Sequence, residues 1–242
     1  MNERYVMIGY ACINKQLREN NIFTNRTLRQ ATLLDKGYDY LSQIIIQNLE
    51  DFKTIMEWNE ANDFKFFRVS SEVFPFISHP VHGYSISDLP NSDIILSLLA
   101  DIGEFAKKNN HRLTTHPGPY NVLASPNTDV VSKAILELEA HSTIFDLMGF
   151  SPSPYNKINI HVGGAYGQPV EALARFCSNF NLLSDACKAR LTVENDDRAN
   201  LYSTQDLYDY VHKVIGIPIV FDYHHHIFNT GGLSEQEGLE LA

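Results

Sequence analysis

The sequence predicts an α/β fold whose parallel strands close into a barrel, and three observations lead there. Short β-rich runs alternate with helical patterns, strand cores are nearly continuous apolar runs, and strand ends open into loops rich in His, Asp, Gly and Pro. Strands alternating with helices mean parallel βαβ units. Apolar cores such as FKFF (64–67) and IPIVF (217–221) suit strands covered on both faces. Polar loops at the carboxyl ends of strands are where such folds place chemistry. No GxGxxG or GxxxxGK[ST] occurs, so neither standard nucleotide cradle is indicated, and a TIM-type (β/α)8 barrel is favoured over an open doubly wound sheet.

The elements follow in order. YVMIGYAC (5–12) is the first strand, followed by a helix over 38–61 in which Leu41, Ile45, Leu49, Phe52 and Met56 share one face of a 3.6-residue period. FKFFRVSS (64–71) is the second strand, and a helix over 92–108 carries Ile95, Leu98, Leu99, Ile102 and Phe105 on one face. HRLTTHPG (111–118) leads to a helix over 129–148, KINIHVGG (157–164) to one over 169–187, and RLTVENDD (190–197) to a weaker one over 204–214. IPIVFDYHHH (217–226) is read as the sixth strand. Beyond it Ser234 and Glu237 form an S-x-x-E capping box that starts a short helix. With no repeat, linker or low-complexity segment, residues 1–242 read as a single barrel domain, cut inside its sixth crossover helix with strands seven and eight absent.

Composition bounds the rest. The 242 residues are 44% hydrophobic and 20% charged, which excludes disordered, collagen-like and coiled-coil classes. No apolar run approaches the ~18 residues of a membrane span, and MNERYVMIGY lacks a secretory layout. Cys12, Cys177 and Cys187 form no CxxC, so each reads as a small buried apolar residue of a protein in a reducing intracellular compartment. The net charge of -10 argues against general adhesion to nucleic acid, although bound cations can reverse the sign of a cleft. Residues 1–36 hold a local basic excess (Arg4, Lys15, Arg18, Arg26, Arg29, Lys36 against Glu3, Glu19, Asp35), with Arg26 and Arg29 in a loop-like stretch suited to phosphate contact.

The strand ends carry the chemistry. His116 ends strand three, His161 strand four and Glu194 strand five, while strand six carries Asp222 followed by His224, His225 and His226. Imidazole with carboxylate suits Zn2+, Mn2+ or Fe2+ rather than Mg2+ or Ca2+. Glu194 is placed to bridge two ions, and a bridged pair ~3.5–4 Å apart can activate water and clamp both oxygens of a phosphoryl displacement. Strand alternation would put Asp222, His224 and His226 on one side and His225 on the other unless the strand has already ended, so spacing leaves the ligand among the three histidines open. His111, opening strand three, and His141 and His212, within or beside helices, read as structural.

Taken in register, IGYACINK, RVSSEVFPFISHP, HPGPYNVL, NIHVGG, TVENDD and FDYHHH resemble the UV damage endonuclease family, TIM-barrel DNA repair enzymes related in site design to endonuclease IV. The resemblance covers about residues 5–240. It implies a divalent-metal-dependent enzyme, Mn2+ or alternatively Zn2+, with up to three ions, that hydrolyses the phosphodiester 5′ to UV photoproducts and other helix-distorting lesions in double-stranded DNA. It makes His116, His161 and Glu194 ligands of one metal, Glu194 and Asp222 ligands of a second and His225 a ligand of a third, with His116, His161, Glu194 and Asp222 as the catalytic set. Tyr10 and Asn14 match positions that hold distorted DNA, Tyr120 a residue that probes the duplex opposite the lesion, and His79 a contact to substrate phosphate. The family motif HPGQY here reads HPGPY, so Pro119 replaces a hydrogen-bonding Gln with a wedge. The family's last two strands supply further ligands, a His, a Glu and a lysine, that this sequence does not contain. The expected protein is a monomer, free of membrane, acting on DNA inside the cell and, in a prokaryote, in the cytoplasm at the nucleoid. Two other readings share the residues: a metal-dependent sugar isomerase or epimerase on the same barrel, and an inactive DNA-damage binding module.

Overall fold

The computed structural model describes residues 7–242, so the start of the first expected strand and Glu3 and Arg4 of the basic stretch lie outside the described residues. By its internal contacts the chain divides into two compact units, one running to His116 with Thr143–Ser151 added, the other comprising Pro117–Ser142 and Pro152–Ala242.

The first unit contains β1 (Gly9–Ala11), α1 (Lys15–Arg18), α2 (Gln30–Ala61), β2 (Phe66–Val69), α3 (Ser92–Lys108) and β3 (Arg112–Thr115). Its strands pair in parallel and in chain order, with Gly9 opposite Phe66 and Phe66 opposite Arg112. The helix expected over 38–61 extends back to Gln30 across a kink at Gly37, whose φ of 71° with ψ of -173° only a glycine adopts without strain. The apolar stripe lies where the period placed it: Leu41, Ile45, Leu49 and Phe52 are fully enclosed. The same holds for Ile95, Leu99 and Ile102 on α3, whose bounds match the sequence expectation. Polar residues on α2 pin the preceding loop. Asp51 accepts from the Phe23 backbone N–H and pairs with Arg26 at 2.7 Å, while Asn48 exchanges hydrogen bonds with the Arg26 backbone. Arg26 also donates to the carbonyls of Phe23 and Asn21 and lies over the Phe23 ring. Its guanidinium is therefore partnered within the loop and its side chain is 19% exposed, whereas Arg29 is exposed.

The second unit holds the start of α4 (Thr128–Leu147), then β4 (Ile158–Ile160), α5 (Pro169–Phe180), α6 (Asp185–Arg190), β5 (Leu191–Glu194), α7 (Thr204–Leu207), α8 (Lys213–Ile215), β6 (Ile219–Val220), α9 (Tyr223–Phe228) and α10 (Glu235–Leu241). The strands again pair in parallel and in order, Asn159 opposite Thr192 and Glu194 opposite Val220. The helix expected over 169–187 is two helices, because Ser184 caps a fresh start by accepting from the Cys187 N–H while the Glu139 carboxylate holds its own N–H and hydroxyl. The weak pattern over 204–214 is a short α-turn that widens into a π-helix at Tyr208–His212 before closing at Gly216. The capping box at Ser234 and Glu237 forms as read.

One correction bears on the site. The strand expected over 217–226 ends at Val220, and Asp222 instead caps α9 by accepting from the His225 N–H at 2.9 Å. The three histidines thus sit on a helix, about 100° apart in turn, and strand alternation does not apply to them. Among the described residues no helix is long and apolar enough to cross a membrane.

Candidate metal centre

The candidate site of the second unit is built around the end of β5. Parallel register sets Asn159 beside Thr192, and the period of two puts His161 on the face of Asn159 and Glu194 on the face of Thr192. A hydrogen-bond relay follows from that register: the Thr192 hydroxyl donates to Asn159 Oδ1 at 2.8 Å, and Asn159 Nδ2 donates to Glu194 Oε2 at 2.6 Å. Glu194 is only 7% exposed, and this amide holds its carboxylate in place. His161 Nε2 lies 3.6 Å from the same Glu194 oxygen, and its Nδ1 lies 3.5 Å from Asp196 Oδ1.

From the other side come Asp222 and His225. One ligand atom each from Glu194, Asp222 and His225 lie within 4.8 Å of one another. Asp222 spends Oδ1 on capping α9, and its Oδ2 is 4.0 Å from His225 Nε2. The helix separates the three histidines. His224 is exposed beside Phe228, His226 is buried against Phe221, and His225 faces His161, ring centroids 5.3 Å apart.

These separations suit a cation. Two ligands each ~2.0–2.2 Å from a shared Zn2+-sized ion stand roughly 3–4.3 Å apart, wider than a hydrogen bond, and the 3.6 and 4.0 Å gaps fall in that range. The donors, carboxylate and imidazole, match Mn2+ or Zn2+. Charge points the same way: Asp196, with one oxygen buried and lacking a hydrogen-bond partner, has its carboxyl pushed up to about 7, first by burial and then by the charges of Asp197 and Glu194, against the pull of His225. Such a concentration of buried carboxylates calls for a compensating positive charge.

Asn159, Asn195 and Asp196 were missed in the sequence. A usable signal existed for Asn159, two residues before His161 and so on the same strand face. Asn195 and Asp196 read as loop residues after a strand, and only the return of α9 against them shows otherwise.

The remaining site expectations fall in varied settings. His116 follows β3 in the first unit, half-buried. Tyr10 packs edge-on against Phe64 and Phe67, donates to Asn59 Oδ1 and accepts from Asn14 Nδ2, and burial pushes its phenol up. Asn14 is nearly buried and also caps α1 through the Leu17 N–H. His79 accepts from the backbone N–H groups of Val81 and His82 at Nδ1 and stacks on the His82 ring. Pro119 and Tyr120 form an exposed turn, with Tyr120 88% exposed. The histidines read as structural have internal partners: His111 meets Glu60 at 2.7 Å, His141 lies 3.3 Å from Glu137, and His212 meets the Ile217 carbonyl.

Comparison with known proteins agrees with the order of these elements. The chain is 37% identical over 229 residues to a putative UV-damage endonuclease of Acanthamoeba polyphaga mimivirus, covering 93% of this chain and 66% of that protein. It is 40% identical over 233 residues to the UV-damage endonuclease of Schizosaccharomyces pombe, covering 94% and 37%, and 37% identical to the UV DNA damage endonuclease of Clostridium perfringens, covering 91% and 50%. The chain therefore spans between about a third and two thirds of the length of these relatives. Its fold superposes on the crystal structure of SacUVDE with a TM-score of 0.87 at 33% identity, covering 98% of this chain and 76% of that one. A D-psicose 3-epimerase solved in the presence of D-fructose shares the fold alone, with a TM-score of 0.54 at 18% identity over 78% of this chain and 63% of that one. The family description UV-endonuclease UvdE matches residues 6–241, and the chain belongs to that family.

Proposed function

We propose that this chain is the catalytic barrel of a divalent-metal-dependent endonuclease that cuts double-stranded DNA on the 5′ side of UV photoproducts and other helix-distorting lesions. The observation that carries the reading is the convergence of Glu194, Asp222 and His225, with His161 beside Glu194, in a member of this family. Glu194, held by Asn159, would bridge ions; His161, Asp222 and His225 would complete their shells, and the resemblance adds His116. When bound, Mn2+ or Zn2+ would supply water activation and neutralise charge on the phosphoryl group in displacement. The cations would also offset the net charge of -10 where DNA approaches.

The protein's own contribution is orientation. The exposed Pro119–Tyr120 turn offers a ring that can stack on or wedge beside an unpaired base, and Pro119 limits that contact to shape. Damaged nucleotides unstack at lower cost than intact pairs, which favours their extrusion toward the ions. In this reading Tyr10 and Asn14 shape the surface at β1, and His79 contacts phosphate. The protein would work as a monomer inside the cell, on DNA.

The test is nicking of UV-irradiated plasmid by the chain loaded with Mn2+. Conversion of supercoiled to open-circular plasmid only after irradiation, lost in Glu194→Ala, is the expected result. Equal nicking of unirradiated plasmid, or undiminished nicking by the variant, would sink the assignment.

A further inference from the structure

Asn195 follows the bridging glutamate and is fully buried, yet it is neither a ligand nor a core apolar residue. Its side chain meets the backbone of Asp222 twice: Nδ2 donates to the Asp222 carbonyl at 3.0 Å, and Oδ1 accepts from the Asp222 N–H at 2.8 Å. The carboxamide thereby acts as one more peptide group. The β5–β6 ladder is paired as far as Glu194 and Val220, and the amide extends it to the residue where the chain turns into α9. The Asn195 backbone carbonyl meets His225 Nδ1 at 2.8 Å. A carbonyl oxygen can only accept, so the neutral ring must carry its proton on Nδ1, leaving Nε2 as a lone pair.

We infer that Asn195 is a positioning residue of the metal centre: its buried amide fixes where Asp222 begins α9, and its carbonyl fixes His225 with Nε2 open to a cation. The inference rests on the metal reading of the proposed function. Three contacts from one residue set the two ligands that α9 contributes. Asp222 Oδ1 is already taken by the His225 N–H, so the contact at the Asp222 backbone also aims the remaining Oδ2. Without the amide, the Asp222 peptide could rotate and carry both donors out of register with Glu194. Partners that orient ligands in this way typically account for about 10–100-fold in metal affinity.

The experiment is a Mn2+ titration of the whole chain, followed by electron paramagnetic resonance of the free ion, for wild type and for a background lacking both ligands of α9 (Asp222→Ala with His225→Gln), each with and without Asn195→Ala. Asn195→Ala should weaken uptake by about 10–100-fold. In the background lacking both ligands the same substitution should change the remaining uptake by no more than about threefold, because the donor atoms it positions are gone. A merely structural residue would weaken both backgrounds alike, and that result overturns the inference, as does undiminished uptake by Asn195→Ala. Should the variant fail to fold, nitrogen-15 spectra of the metal-free wild type decide: the His225 ring, assigned by its loss in His225→Gln, is expected as the Nδ1–H tautomer. The Nε2–H tautomer overturns the inference. If the wild type itself takes up no Mn2+, the metal reading falls and this inference with it; wild-type uptake matched by Asn195→Ala removes the inference alone.

Discussion

Asp196→Asn should make the metal-free protein more stable, and the gain should depend on pH. Asp196 sits 3.5 Å from His161, two residues after Glu194, and its carboxyl is pushed up to about 7 from 3.8. Burial is the first cause, since a desolvated carboxylate is disfavoured as an anion. The folded state therefore binds this proton more tightly than the unfolded chain does. Stability is fully present below the unfolded value near 4 and is lost as pH rises through about 7. About three units at ~1.4 kcal/mol each sets a ceiling of ~4 kcal/mol at pH 8, and the same linkage leaves less than half of that at pH 5. Solvent screening brings the pH 8 figure to about 2–4 kcal/mol. Asn keeps the shape and can still accept from a backbone N–H, but carries no charge. Urea unfolding in EDTA should show a raised midpoint for the variant at pH 8 and a much smaller rise at pH 5. With Mn2+ at pH 8 the advantage should shrink, because the ion supplies the charge that the carboxylate lacks. A variant no more stable than wild type at pH 8, or equally stabilised at both pH values, would refute the electrostatic account.

Two further outcomes follow from single side chains. A Cβ on Gly103 would stand 1.8 Å from the Met148 carbonyl oxygen, so Gly103→Ala should destabilise by about 2 kcal/mol or more in urea unfolding, although Ala is intrinsically the better helix former by ~1 kcal/mol; a stabilised variant would show that the helix and residue 148 separate freely. Tyr120→Ala should leave stability within ~0.5 kcal/mol because the ring is 88% exposed. The same variant should weaken binding to irradiated duplex by about 5- to 150-fold if the ring stacks on DNA, read by fluorescence anisotropy, and unchanged binding would remove Tyr120 from the DNA surface.

The elements were legible where burial alone decides them. α3 falls on the expected residues because a stripe from Ile95 to Ile102 can be buried only by a helix. The paired parts of β2 to β5 lie inside their expected runs because short apolar runs between polar loops suit strands covered on both faces. Legibility failed where a polar side chain overrides the pattern. Ser184 breaks the 169–187 helix by capping a new one, and Arg26, a charged residue in a polar loop, turns inward because Asp51 waits on α2. The Ser184 cap itself is local, but Glu139, which holds Ser184, and Asp51, which holds Arg26, both lie far off in sequence, so no local window contains the whole cause.

The run DYHHH carries that lesson to the site. Read locally, IPIVFDYHHH is a strand that continues, since aromatic and β-branched residues favour extended backbone and His is neutral. The decision is made by Asp222, whose carboxylate satisfies the His225 N–H, and by Asn195 just past the end of the neighbouring strand, which supplies the hydrogen bonds that a continuing strand would have offered. Stopping the strand at Val220 is what makes the histidines inequivalent. On a strand, His224 and Asp222 would share a face; on a helix three residues on, His225 returns to Asp222 instead, and His224 is left to solvent. The resemblance had singled out His225 against the strand pattern, and the helix supplies a physical reason why that position, rather than its neighbours, stands beside Glu194. The imidazoles and carboxylates were visible in the sequence; which imidazole meets the carboxylates depends on the strand ending at Val220, early enough for Asp222 to start a helix.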